Sequence, residues 1–330
     1  MPWPAPLSDR GVRACRSAKW RKHNRAPPPV GDLFVGGAVR FAYLASNGRF
    51  WTMRFPVSFL ASLLVAASVC NGGSTDSLAK DALVIVVSSD LAIGRNRVAV
   101  GALTDANESL VTDIPVSFEF FRPDGTPAGA APARFIWAIP DVRGLWVSEF
   151  TFDDHGGWTV GIRTEDGQLV RSAPFSVSSQ ATTIAVGGAA PSSYSKTLVD
   201  GPLSEITSDV DPDESFYQKT VSEAVNSGNP SVIIFSTPAF CTSATCGPVL
   251  DVAKHVKDSY THIEWVHVEV FDNLHAATRE ELVPVAAVGE WRLATEPWVF
   301  VVGADGIVTD RFEGAMDEAE LRTALDGLAG

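Results

Sequence analysis

Between about Ala82 and Val177 the chain is written as short apolar runs separated by turn clusters. Leu83 to Val87, Arg97 to Leu103, Ile114 to Phe121, Leu145 to Phe152 and Trp158 to Ile162 are rich in β-branched and aromatic residues. Pro123-Asp124-Gly125, Asp153-Asp154-His155-Gly156-Gly157 and Glu165-Asp166-Gly167 punctuate them. Short strands at this spacing predict an antiparallel sandwich over residues 82–177.

The pattern changes further on. A helix is expected from about Glu214 to Asn226, then the apolar strand Val232 to Phe235. A loop with two cysteines follows, then a helix over Cys246 to Tyr260, whose apolar residues from Val249 to Val256 have helical spacing. Next come a strand over Ile263 to Phe271, a helical stretch over His275 to Trp291 and an apolar strand ending in Trp298-Val299-Phe300-Val301-Val302. The chain closes with Asp305-Gly306 as a hairpin turn, a strand Ile307 to Phe312 and a helix Asp317 to Leu328. This alternation predicts an α/β sheet layered between helices over residues 206–330. Residues 178–205, small and polar around Gly187-Gly188-Ala189-Ala190-Pro191-Ser192-Ser193, read as a linker.

The amino-terminal segment reads differently. Residues 1–52 are rich in arginine and proline without a sustained period, and are expected to be a basic extension or a misplaced gene start. Met53-Arg54 followed by the apolar run Phe55 to Val69 matches a secretory signal over 53–70. A run of about fifteen apolar residues is short for a membrane span, which needs about twenty, although a signal anchor is the alternative. Cys70 and the flexible residues 71–81 resemble a bacterial lipoprotein signal and its tether. Ala67-Ser68-Val69 fits that signal imperfectly, and ordinary cleavage after Ala67 is the competing reading. In both cases the remainder is expected outside the cytoplasm, in the cell envelope, either lipid-anchored or secreted.

Charge narrows the partners. The formal net charge is −13, and without the basic first 52 residues it falls to about −20. Such an acidic body repels phosphate backbones, so nucleic acid is excluded as a partner. No phosphate-binding glycine loop or clustered metal-ligand set is present, so no cofactor is expected.

The chemistry concentrates in Phe240-Cys241-Thr242-Ser243-Ala244-Thr245-Cys246-Gly247-Pro248. A thiol at a helix start meets the positive end of the helix dipole and unpaired N–H groups, which favour the thiolate. With Cys70 lipidated and Cys15 absent from the mature chain, Cys241 and Cys246 are left as a pair. Thiol–disulfide exchange with protein thiols or disulfides is the expected activity. Cys246 attacks and Cys241 resolves in the preferred order; the reverse order is the alternative. Thr242, Ser243 and Thr245 are candidate hydrogen-bond donors to a thiolate. Glu269 is a candidate base or proton relay, and a surface-pointing strand acid is its other reading.

Residues 206–330 resemble a thioredoxin-fold domain. The carriers are Cys246-Gly247-Pro248 and Pro297, which precedes an apolar strand. The resemblance implies a catalytic role for Cys246, Cys241 and Pro297, supported by Gly247 and Pro248. It also implies a cis peptide at Pro297 that offers the backbone of Glu296 to a substrate chain. Residues 82–177 similarly resemble the immunoglobulin-like modules of exported bacterial proteins. The Cys-x4-Cys spacing departs from the thioredoxin Cys-x2-Cys, and the buried acid of that family is missing near Ile234. Two relatives of the fold compete. Peroxiredoxin-like thiol peroxidases match Pro238, Thr242 and Cys246 with one residue too many, and copper chaperones lack their third soft ligand here. A permanent disulfide stapling a binding module is the remaining alternative.

Overall fold

The structure is a computed structural model that describes residues 43–44, 50–51, 83–103, 115–165, 167, 169–276 and 278–329. The expected signal segment 53–70, Cys70 and the tether lie outside the described residues. The chain divides into two compact units, residues 1–72 and 73–330. In the first, the described residues are two paired antiparallel strands, β1 (Tyr43–Leu44) and β2 (Phe50–Trp51).

The second unit opens with seven antiparallel strands: β3 (Leu83–Val86), β4 (Gly94–Leu103), β5 (Val116–Phe121), β6 (Pro127–Ile139), β7 (Arg143–Phe152), β8 (Gly156–Thr164) and β9 (Leu169–Val177). Their order is β3-β4-β7-β6-β5-β8-β9. The long strand β6 is the hinge of this sheet. Its first half, Pro127 to Ala133, pairs with β5, and its second half, Arg134 to Ile139, pairs with β7. The sheet therefore turns over on itself and is nearly closed, with β3 lying against β9 and Ala92 bridging Ser178. Alternate residues face inward. Phe118 and Phe120 of β5, Trp146 and Phe152 of β7 and Trp158 of β8 form one aromatic core. Each such side chain contributes on the order of 1.5–3 kcal/mol through burial.

The rest of the unit carries a four-stranded sheet made of β10 (Ser231–Ser236), β11 (Glu264–Glu269), β12 (Trp298–Val302) and β13 (Val308–Glu313), in the order β11-β10-β12-β13. β10 runs parallel to β11 and antiparallel to β12, and β12 is antiparallel to β13. The helices are α1 (Leu203–Ile206), α2 (Val221–Val225), α3 (Cys246–Lys257), α4 (Ala286–Glu290) and α5 (Glu318–Asp326). Among the described residues only α3, with 12 residues, completes three turns.

This architecture corrects the expected fold class. Sheets of seven and four strands dominate the described chain, so it is predominantly β, and the expectation of an α/β thioredoxin-like fold is not retained. The difference lies partly in the helices. The helix expected over 214–226 is interrupted: a 3-10 turn Glu214–Tyr217 ends, and Thr220 starts a new helix through a capping box with Glu223. Among its described residues, the stretch 275–291 holds a 3-10 turn Arg279–Glu281 and the short α4, separated by Pro284, which cannot donate to a helix.

Residues 178–205 do more than connect. Ile184 is buried in the core of the second sheet, Ala189 bridges Ile307, and Ser193 accepts the backbone N–H of Ser222. Buried ion pairs tie the two sheets together. Arg97 of β4 meets Glu320 of α5 at 2.6 Å and also donates to the carbonyl of Ala315, and Arg311 of β13 meets Asp90 at 2.7 Å.

Candidate functional site

Strand β10 is buried along its whole length, and its register against β11 and β12 fixes where the chain leaves the sheet. From Thr237 the chain turns outward through Pro238, Ala239 and Phe240 into the cysteine loop. Ala244 takes a left-handed conformation, φ 59°, and turns the loop back so that Cys246 starts α3. Cys241 and Cys246 are joined in a disulfide across the start of that helix, with their Cα atoms 6.0 Å apart. The helix holds its position because Val249, Leu250, Ala253 and Val256 form a buried stripe.

The two sulfurs have different surroundings. Cys246 is fully buried, and Cys241 is half-buried. The backbone N–H of Cys246 points at the sulfur of Cys241, 3.3 Å away. Ser243 places its hydroxyl 3.2 Å from the same sulfur and is itself bonded to the Thr245 hydroxyl at 2.7 Å. The helix-terminal donor thus serves Cys241, and exposure favours the same residue. The geometry favours the alternative order, because Cys241 is the more exposed residue of the pair and Cys246 is fully buried. Of the three candidate hydroxyls, Thr242 is exposed, Ser243 meets the sulfur directly and Thr245 meets Ser243. Gly247 and Pro248 form the first turn of α3 beside the disulfide, and open space surrounds the position a Gly247 side chain would take.

The Glu296–Pro297 peptide is cis, and Pro297 is buried. The chain here enters β12, so Glu296 is carried to the disulfide. A carboxylate oxygen of Glu296 and the two sulfurs all lie within 4.8 Å of one another. With both sulfurs committed to the disulfide, this trio presents no thiolate to a metal. Burial pushes the Glu296 carboxyl up to about 7, aided by the negative charge of Glu269 and opposed by the Arg279 guanidinium. Arg279 stands 3.6 Å from the Glu296 carboxylate and donates to the carbonyl of Phe240, bridging the acid to the cysteine loop.

Glu269 ends β11 and is buried. Its carboxylate accepts from the backbone N–H and the hydroxyl of Ser208, both at 2.8 Å. The same Ser208 hydroxyl accepts the backbone N–H of Ala239 at 3.1 Å, so Glu269 reaches the cysteine loop through Ser208. Burial raises the Glu269 carboxyl above its ordinary value, against the hydrogen bonds from Ser208. Its strand neighbour His267 is fully buried between the Tyr217 hydroxyl at 2.7 Å and the Ser236 hydroxyl at 2.8 Å, and burial lowers it to about 4. Trp291 and Trp298 pack in the core of the second sheet.

The structure brings together Cys241, Cys246, Gly247, Pro248, Glu296 and Pro297, with Glu269 one step removed. Sequence reasoning missed the carboxyl of Glu296, having considered only its backbone, and missed Arg279 and Ser208 altogether. Arg279 lies in a stretch expected to be plain helix, and no motif marks it. A separate cleft of about 700 Å³ lies between the two sheets, lined by Arg95, Arg97, Arg134 and Arg311. Each of these arginines is already held by an acid, and neither cysteine lines the cleft.

No family model matches the chain, and no curated protein matches it. Among solved structures, the Lin-41 filamin domain is similar over 32% of this chain and 99% of that one, at 16% identity and a TM-score of 0.22. A likeness that slight carries no argument about fold or activity. With no matching family and a predominantly β architecture, the thioredoxin-family assignment, and the description of the chain as a thioredoxin-like oxidoreductase, are withdrawn. Among the described residues no helix is long and apolar enough to cross a membrane.

Proposed function

We propose that this chain carries out thiol–disulfide exchange through the Cys241–Cys246 pair, with protein thiols or disulfides as its partners. The observation that carries the reading is the asymmetry of the disulfide: one sulfur is reachable and receives a helix-terminal N–H, and the other is buried behind it. An exposed sulfur stabilised as thiolate is a good nucleophile and a good leaving group, and a shielded neighbour resolves the mixed disulfide before a second partner reaches it. The apolar run Phe55 to Val69 followed by Cys70, together with the acidic composition, supports action outside the cytoplasm, where such a pair meets exported substrates.

The test is a redox titration of the full chain, trapping free thiols and reading the mass shift across thiol buffers. A midpoint well above about −300 mV supports exchange. A pair that stays oxidised below that potential is a staple, and the chain is then a binding module.

A further inference from the structure

A disulfide that opens onto a buried sulfur raises a question of proton supply. Cys246 has no exposed surface, so bulk water does not reach the thiolate that would form there. A thiolate left in such a site is strongly disfavoured unless it is protonated or paired. One carboxyl stands at the right place. Glu296 lies with both sulfurs inside 4.8 Å, and its side chain is only 16% exposed.

We propose that the Glu296 carboxyl is the proton-transfer group of Cys246, protonating its sulfur as the disulfide opens and taking the proton back as it closes. This rests on the exchange reading above and specifies how its buried half works. In the opening direction a partner thiolate attacks Cys241 Sγ, forming a mixed disulfide. The Cys241–Cys246 bond breaks, its electron pair passes to Cys246 Sγ, and that sulfur takes the proton of the Glu296 carboxylic acid. A second partner thiolate then attacks the partner sulfur of the mixed disulfide, and Cys241 leaves as a thiolate facing the Cys246 N–H. The pair gains two electrons, and two partner thiols become one disulfide. Closing runs the same steps backwards, with the Glu296 carboxylate deprotonating Cys246 so that it attacks Cys241.

The groups around Glu296 suit this work. Arg279, from the 3-10 turn 279–281, faces it with positive charge; Glu269, from the end of β11, adds negative charge; and the sulfurs face it from the loop and α3. The balance leaves the carboxyl titrating at about 7, where it can both give and accept a proton.

The experiment uses the reduced full chain with Cys15→Ser and Cys70→Ser, mixed with an aromatic disulfide reagent whose released thiol is coloured. The first equivalent is released when Cys241 forms the mixed disulfide, and the second when Cys246 attacks it. The expected second release rises through an inflection near pH 7. Glu296→Gln is expected to slow it by about 10²-fold and remove that inflection, with Glu296→Asp restoring part of the rate. Arg279→Met, which retains the acid, is expected to move the inflection to higher pH and serves if the Gln variant does not fold. An unchanged rate and pH profile in Glu296→Gln, or an unmoved inflection in Arg279→Met, overturns the proposal while leaving exchange intact. Failure of the parent chain to release a second equivalent overturns both.

Discussion

The backbone N–H of Cys246 donates to the sulfur of Cys241 at 3.3 Å, so the first turn of α3 stabilises charge on the cysteine outside the helix. A sulfur located by sequence at a helix start need not be the one that the helix end serves. Here the loop curls back through Ala244, and the neighbour receives the donor.

Single-cysteine variants separate the two roles. In a chain with Cys15→Ser and Cys70→Ser, Cys246→Ser leaves the reachable Cys241, which is expected to form a long-lived mixed disulfide with a thiol substrate. Cys241→Ser leaves a buried thiol, expected to be alkylated more slowly by about an order of magnitude or more. Mass spectrometry after timed alkylation reads both, and equal rates would return the assignment to Cys246.

Two buried groups give the folded state opposing pH dependences. Glu296 is raised from 4.5 to about 7, so the native chain binds the extra proton and this contribution to stability falls as pH rises from 4.5 to 7. His267 is lowered from 6.5 to about 4, so the unfolded chain binds the extra proton and this contribution rises between pH 4 and 6.5. Denaturant titrations should show Glu296→Gln gaining on the parent chain as pH rises through that window, by up to about 3 kcal/mol. His267→Gln should lose least relative to the parent chain at pH 4 and most above pH 6.5. Parallel profiles for all three chains would contradict both assignments.

The Arg97–Glu320 pair joins the two sheets with side chains only 10% and 13% exposed. Arg97→Ala leaves Glu320 with Arg134 alone, at 3.8 Å, and is expected to cost about 3–5 kcal/mol in chemical unfolding. Replacing both partners, Arg97→Met with Glu320→Leu, should cost less than the single change, because no buried charge is stranded. A double variant as unstable as the single one would assign the loss to packing.

Two glycines should respond in opposite ways. A Cβ on Gly144 would run into the ring of Phe135, which packs against Trp137 and Trp146, so Gly144→Ala is expected to lower stability by about 1–3 kcal/mol. Gly247 has open space around it, and Gly247→Ala should be neutral or stabilising by up to about 1 kcal/mol. Thermal melts of both variants check this. A large loss at Gly247 would mean that the first turn of α3 is more confined than its surroundings show.

Local patterns made some features readable in advance. Apolar alternation and turn clusters marked the strands around Phe118, Trp146 and Trp158, because a residue's inward or outward direction in a strand is set by its own position. The helical spacing of Val249 to Val256 placed α3, and the two cysteines named the chemistry worth asking about. Tertiary structure decided the remainder. It gave the chain its predominantly β character and docked residues 178–205 onto β13 through Gly187, Gly188 and Val308. It brought Glu296 and Arg279 to the disulfide from different segments, and it chose which sulfur is covered. Periodicity reports which face of an element is apolar, but it does not record what packs there. Burial and the charge on Glu296 depend on neighbours distant in the chain, and those neighbours exist only once the sheets have closed around them.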